Sequence, residues 1–132
     1  MRVAAPERVC LGGGVTSLFA RRAAAILGFL GVALGAFGAH ALKAHLAATG
    51  TISMWEKAVL YQLLHSVALL ALSTRPRVPG LAGWMFIAGI LLFSGTLYAF
   101  AAWRIGFLMA LTPVGGICFL AGWACLAFSR TE

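Results

Sequence analysis

The stretch AVLYQLLHSVALLAL, residues 58–72, decides the fold of this chain. It is apolar enough to sit in lipid, yet it carries Tyr61, Gln62 and His65, whose spacing puts all three on one side of a helix. Because polar groups inside hydrocarbon need partners, such a stripe turns toward other helices or toward water. We therefore expect the rest of the chain to supply helices that surround it.

The overall composition is that of a membrane protein. Of 132 residues, 62% are hydrophobic and only 10% are charged, and the mean hydropathy is +0.98. These values exclude an ordinary water-soluble domain. The only acids are Glu7, Glu56 and Glu132, so catalysis by paired carboxylates is excluded. The net charge of +7 comes from basic residues scattered between apolar runs, so we expect no nucleic-acid partner.

Four apolar segments are long enough to cross a bilayer, which takes about 20 residues or roughly 30 Å of helix. The predicted spans are residues 23–42, 55–73, 81–102 and 105–128. Two prolines and a glycine in residues 74–80 enforce a turn between the second and third spans, and Pro113 predicts a kink or local break in the fourth. Residues 1–22 form a basic N-terminal arm and residues 129–132 a C-terminal tail. The predicted fold class is all-α, an integral membrane four-helix bundle.

Four spans put both termini on one side of the membrane. The basic residues predicted for that side are Arg2, Arg8, Arg21, Arg22, Arg75, Arg77 and Arg130. Those predicted for the other side are Lys43, Lys57 and Arg104. Because cytoplasmic loops carry the excess of Lys and Arg, both the N and C termini are predicted to be cytoplasmic, in a bacterial inner (plasma) membrane. The arginine-rich arm also resembles a transit peptide, which leaves the mitochondrial inner membrane as an alternative.

The polar side chains of the spans fall in the outer half of the bilayer in this orientation, at about 1.5 Å of depth per residue. We predict a shallow polar pocket on the outer face, rimmed by His45, Glu56 and Lys57. Its predicted ligand-binding residues are His40, Tyr61, Gln62, His65, Ser94, Tyr98 and Thr112. The competing interpretation is that the same side chains hydrogen-bond one helix to another.

His65 is the strongest candidate for a functional residue, because an ionisable side chain inside a span is a functional-site hypothesis by default. It could pass protons or ligate a metal or haem. His40 lies roughly 7 Å from His65 along the membrane normal, which argues against haem held by both. We predict no metal and no cofactor.

Glycines in the spans are predicted to let helices approach closely. Gly28, Gly31, Gly35 and Gly38 lie three or four residues apart on one face of the first span. Further helix-packing positions are predicted in the third and fourth spans, at Gly95, Gly115 and Gly116.

Several motifs together resemble a known family. They are VALGAFGAH at residues 32–40, YQLLH at 61–65, LFSGTLY at 92–98, and TPVGG at 112–116 followed by Gly122 and Trp123. The chain from residue 23 to 128 resembles the small four-pass membrane proteins grouped as the domain of unknown function 423 family, related to transmembrane protein 256. The resemblance implies a four-helix protein of the bacterial inner membrane, without an established activity, substrate or cofactor. The matching positions are Gly35, Gly38, His40, Tyr61, Gln62, His65, Ser94, Gly95, Tyr98, Thr112, Pro113 and Gly116.

No catalytic constellation is recognisable, since no nucleophile, oxyanion hole or metal-ligand spacing accompanies the Tyr and His side chains. We therefore expect the protein not to be an enzyme. The expected function is that of a structural or accessory membrane subunit, whose partners are the lipid bilayer and another membrane protein or further copies of itself. The alternative is a protein that binds a lipid headgroup, quinone, metal ion or small solute in the outer pocket. Transport is least favoured, because the cytoplasmic half offers no polar path.

Overall fold

The computed structural model describes residues 15–129, and all the regular secondary structure in that range is helical. The all-α fold class is therefore confirmed. The α-helices are α1 (Ser17–Ala39), α2 (Lys43–Thr49), α3 (Ile52–Ser73), α4 (Gly80–Gly89), α5 (Gly95–Trp103) and α6 (Thr112–Phe128). A π-helical segment, Ile90–Ser94, joins α4 to α5, and a 3₁₀ helix, Gly106–Leu111, leads into α6.

Three helical stretches are long and apolar enough to cross a membrane: Ser17–Ala39, Gly80–Trp103 and Gly106–Phe128. The fourth long helix, α3, has 22 residues but carries the polar stripe. Its buried residues are Trp55, Ala58, Gln62, His65, Ser66, Leu69, Leu72 and Ser73. The polar stripe of α3 thus faces the interior, whereas the opposite side of this helix exposes Leu60 and Val67. Helices α1 and α6 also turn large side chains such as Phe29 and Leu120 outward.

The long helices run antiparallel, as their buried clusters show. At one end, which we call the α2 end, Leu46 and Trp55 pack with Tyr98 and Ala101. At the other end, the start of α1 packs on Leu69 near the end of α3. Leu72, Ala82, Phe86, Phe119 and Cys125 also cluster there. The start of α1 and the end of α6 therefore lie at the same end of the molecule.

Two boundaries differ from the sequence prediction. Helix α1 begins at Ser17, so residues 17–22, assigned from the sequence to the arm, are helical. Thr16 caps this helix, because its Oγ1 accepts a hydrogen bond from the Phe19 backbone N–H at 3.2 Å. The helix ends at Ala39 rather than at residue 42, and the segment between the first two predicted spans contains α2. The rest of the predicted arm, residues 1–14, and residues 130–132 of the tail lie outside the described residues.

The predicted break near Pro113 is present as a change of helix type. The 3₁₀ helix ends at Leu111, and Pro113 lies in the first turn of α6. Backbone N–H groups in the first turn of a helix have no partner within that helix, so a proline is tolerated there without the loss of a hydrogen bond.

Candidate functional site

Gln62 on α3 is the centre of a polar network that joins three helices. Its Nε2 donates a hydrogen bond to the Leu27 carbonyl oxygen of α1 at 2.8 Å. Its Oε1 accepts one from the Tyr98 hydroxyl of α5 at 3.0 Å. The side chain is buried, and both ends of the amide are in use. One residue therefore ties α1 and α5 to the central helix.

His65, one turn further along α3, is held by two hydrogen bonds that fix its tautomer. The Trp123 indole N–H of α6 can only donate, so His65 Nε2, 3.1 Å from it, is the acceptor. The proton of the neutral ring is then on Nδ1, which donates to the Tyr61 carbonyl oxygen at 2.8 Å. Both ring nitrogens are therefore occupied within the protein, and neither has a lone pair left for a metal ion.

Aromatic rings enclose the His65 imidazole. The Phe119 ring stacks on it with centroids 3.6 Å apart and planes 12° from parallel. The Phe86 ring meets it edge-on at 5.4 Å. Tyr61 is half-buried, and its ring centroid lies 4.5 Å from that of Phe93. The surroundings of His65 are therefore dry and packed.

The buried hydroxyl groups make further links between helical segments. Ser94, in the π-helical segment, donates to the Ala58 carbonyl oxygen of α3 at 2.8 Å. The Thr96 and Thr112 hydroxyl oxygens are 2.6 Å apart and join α5 to α6. Thr96 also donates to the Leu92 carbonyl oxygen at 2.6 Å, so Thr112 is the donor of the pair. Within residues 15–129, no buried side-chain nitrogen or oxygen lacks a hydrogen-bond partner.

The predicted ligand-binding residues are only partly brought together. Gln62 and Tyr98 bond each other, and His65 bonds the backbone carbonyl of Tyr61. Ser94 and Thr112 instead make separate bonds, to Ala58 and Thr96. His40 is not brought into the network, because α1 ends at Ala39 and the exposed His40 follows it. The three predicted rim residues, His45, Glu56 and Lys57, are exposed, and His45 Nε2 donates to the Ala102 carbonyl oxygen at 3.0 Å.

The cavity at the α2 end differs from the predicted polar pocket. Its volume is about 480 Å³, and it lies between the second half of α1 and the first half of α3. Its walls are mainly apolar, with Val59, Leu60 and Leu63 among them, and Glu56 is the one predicted rim residue that lines it. None of the seven predicted ligand-binding residues lines this cavity.

The comparisons with known proteins identify the family. The family model described as "Protein of unknown function (DUF423)" matches residues 34–116, more than half of the chain. The chain belongs to this family. No solved structure matches it.

Bacterial relatives of this DUF423 protein cover most of its length. The UPF0382 inner membrane protein YgdD of Escherichia coli (strain K12) is 44% identical over 117 residues, which is 83% of this chain and 87% of the relative. The UPF0382 membrane protein YwdK of Bacillus subtilis (strain 168) is 37% identical over 114 residues, which is 82% of this chain and 92% of the relative. The UPF0382 membrane protein SH2409 of Staphylococcus haemolyticus (strain JCSC1435) is 39% identical over 109 residues, which is 80% of this chain and 88% of the relative. This DUF423 chain is therefore a membrane protein, and the predicted bacterial inner-membrane location is confirmed.

Three residues of the network were missed by sequence reasoning in this DUF423 chain. Trp123 and Thr96 were not proposed as partners, and Trp55 was predicted as the first residue of the second span. Trp55 is buried, its Nε1 donates to the Leu34 carbonyl oxygen at 2.9 Å, and its ring packs edge-on against Tyr98 at 4.7 Å. A usable signal existed for Trp123, because an indole N–H inside a span needs an acceptor.

The glycines of α1 differ in how closely α3 approaches them. A Cβ at Gly31 would lie 2.7 Å from Leu63 Cδ2, and one at Gly38 would clash with the Trp55 indole. A Cβ at Gly35 would be 3.3 Å from Val59 Cγ1 and one at Gly28 would be 3.9 Å from Ser66 Cβ, so Gly28 has ordinary contact distances. The close α1–α3 packing therefore depends mainly on Gly31 and Gly38.

The later glycines of the DUF423 chain also differ in how closely a neighbouring helix approaches them. A Cβ at Gly115 would meet backbone, with Leu92 C at 2.8 Å, whereas one at Gly116 would find its nearest atom, Phe93 Cδ2, at 4.0 Å. Nothing lies within 4 Å of a Cβ at Gly95, so this predicted packing position is not at a close contact. Two close contacts were not predicted: a Cβ at Gly89 would clash with the Phe119 ring, and one at Gly122 would lie 2.6 Å from Phe86 Cε1.

Proposed function

We propose that this DUF423 protein is a structural or accessory component of the bacterial inner membrane, without catalytic activity of its own. One observation carries the proposal. In the part of the chain that the structure describes, every buried polar side chain already has a partner within the protein. The network around Gln62 and His65 therefore acts as a set of interhelical bonds, in which both ends of the Gln62 amide and both ring nitrogens of His65 are in use.

The proposal includes a four-span bundle with both termini in the cytoplasm. Support for four spans comes from the antiparallel arrangement, in which α3 has 22 residues and packs against the other long helices at both of its ends. Support for the orientation comes from the basic residues, seven on the terminal side against three on the other in the sequence.

The surface of the bundle supports contact with another membrane protein or a second copy. Large apolar side chains are exposed on both outer helices, with Phe29 on α1 and Leu120 on α6. Such faces meet lipid wherever no partner covers them, so association there depends on close packing of the surfaces.

The test is native mass spectrometry of the full chain, expressed at its normal level and extracted in a mild detergent. We expect a second copy or another membrane protein to be retained, and deletion of the gene to lower the amount of that partner. Phe29→Trp enlarges an exposed side chain on α1, and Leu120→Trp enlarges one on α6. The substitution on the face that contacts the partner should abolish retention of the partner, and the substitution on the other face serves as its control. A strictly monomeric chain in detergent and in nanodiscs, with no partner affected by the deletion, would contradict the proposal.

A further inference from the structure

The cavity at the α2 end has the size and walls of a site for an apolar chain. Its volume of about 480 Å³ falls within the roughly 300 to 1,000 Å³ of typical small-molecule sites. Val59, Leu60 and Leu63 of α3 line one side. Leu60 is 62% exposed, so this side of the cavity is continuous with the exterior of the bundle, where the acyl chains of a bilayer lie.

Glycines and an indole ring give the cavity its shape. Gly35 and Gly38 of α1 line it without side chains, and the Trp55 ring covers Gly38. The Trp55 N–H is already bonded to the Leu34 carbonyl oxygen, so the indole presents no free donor to the cavity. An occupant of these walls therefore gains from apolar contact rather than from hydrogen bonds.

Two opposite charges line the same cavity. Lys43 is the first residue of α2, and Glu56 lies near the start of α3. Both side chains are exposed. They lie where α1 ends and α3 begins, which is the level of the lipid headgroups if these helices span the bilayer.

A cation and an anion beside an apolar cavity match a zwitterionic phospholipid headgroup. The Lys43 ammonium complements a phosphate, and the Glu56 carboxylate accepts hydrogen bonds from an ammonium group. A primary ammonium has three N–H donors, whereas a quaternary ammonium has none. A headgroup with no cation, such as phosphoglycerol, would leave Glu56 without a partner.

We propose that this cavity binds one phospholipid with a phosphoethanolamine headgroup. Its phosphate lies against Lys43, its ammonium against Glu56, and one acyl chain lies between α1 and α3. This binding site goes beyond the accessory role proposed above and does not depend on it, because the lipid would bind the isolated chain.

The experiment is native mass spectrometry of the purified, delipidated full chain with dioleoyl phosphatidylethanolamine, phosphatidylglycerol and phosphatidylcholine at equal concentrations. We expect one phosphatidylethanolamine to be retained in preference to the other two. Lys43→Met and Glu56→Gln should each reduce that preference about two- to fivefold, as expected for exposed charge contacts. Lys57→Met is the matched control, because Lys57 is an exposed lysine beside Glu56 that does not line the cavity. It should leave the preference unchanged.

A second pair of variants tests the apolar part of the site. Ala39→Phe fills the cavity and should lower retention of all three lipids, whereas Ala41→Phe, at an exposed position outside the lining, should not. Thermal unfolding midpoints equal to that of the unsubstituted chain show that the variants are folded. Equal retention of the three lipids, equal effects of Lys43→Met and Lys57→Met, or a second copy held in place of lipid would overturn the proposal.

Discussion

His65 holds α6 to α3 because both of its ring nitrogens are bonded inside the protein. The neutral ring donates to the Tyr61 carbonyl oxygen and accepts from the Trp123 indole, while Phe119 stacks on its face. An ionisable residue within a span is usually suspected of function. Here its partners explain it as a structural link, since binding a metal ion at Nε2 would require the loss of the Trp123 hydrogen bond.

Replacement of Trp123 by phenylalanine tests this link. Trp123→Phe removes the indole donor and leaves His65 Nε2 without a partner, so we expect the free energy of unfolding to fall by about 1 to 2 kcal/mol. Trp84→Phe is the matched control, because Trp84 is 46% exposed and Trp123 is 44% exposed. Unfolding in mixed micelles of increasing SDS content measures both. Equal losses for the two variants would contradict the structural role of the hydrogen bond.

The inward direction of the polar stripe could be predicted from the sequence, but its partners could not. Gln62 and His65 were expected to turn away from lipid, and both are buried. Depth along a span says nothing about rotation, so the donor from Trp123 could not be assigned to His65. His40 was placed in the same site because the first span was predicted to continue past it. The helix ends at Ala39 instead, and this leaves the His40 side chain exposed.

Helix α6 packs against the π-helical segment through the backbone at Gly115. Backbone atoms of Leu92 and Phe93 occupy the position that a side chain would need. Backbone cannot move aside as the end of a flexible side chain can, so this contact limits position 115 to glycine. The next glycine, Gly116, faces no such contact.

Two adjacent alanine substitutions separate these positions. We expect Gly115→Ala to lower the free energy of unfolding by about 1 to 3 kcal/mol, because the added methyl group overpacks the contact with the π-helical segment. Gly116→Ala should be neutral or stabilising by up to about 1 kcal/mol, since alanine favours the helix and meets nothing closer than 4.0 Å. The same SDS titration measures both. A loss at position 116 as large as that at 115 would show that helix α6 does not depend on this contact.

The long helices could be predicted from the sequence, but the π-helical segment within one of them could not. Hydropathy and the prolines located the helices, and the local break predicted at Pro113 coincides with the change from the 3₁₀ helix to α6. The π-helical segment Ile90–Ser94 has no such mark, because its residues, ILLFS, would also suit a regular apolar helix. Its position coincides with the close approach of Gly115, a contact from a distant part of the chain that local pattern does not contain.

The molecule as a whole has the polar stripe of α3 inside, and large apolar side chains of α1, α3 and α6 outside. This distribution follows from the cost of exposing amide and imidazole groups to hydrocarbon. The bonds from Gln62 to Leu27 and Tyr98 draw α1 and α5 onto α3, and the His65–Trp123 bond adds α6. The specificity of the arrangement thus comes from polar pairing, since apolar contact alone would not distinguish a neighbouring helix from lipid.

The last prediction for the whole molecule concerns its orientation across the membrane. With four spans and cytoplasmic termini, green fluorescent protein fused after Glu132 should fluoresce in bacterial cells, whereas alkaline phosphatase at the same site should be inactive. A fusion after Arg104, which follows the first three long helices, should show the reverse pattern, with active phosphatase and no fluorescence. The physical reason is the retention of arginine-rich segments in the cytoplasm. Active phosphatase after Glu132 would contradict the predicted orientation. Equal behaviour of the fusions after Arg104 and after Glu132 would contradict the number of spans, because the fourth crossing must place the two fusion sites on opposite sides of the membrane.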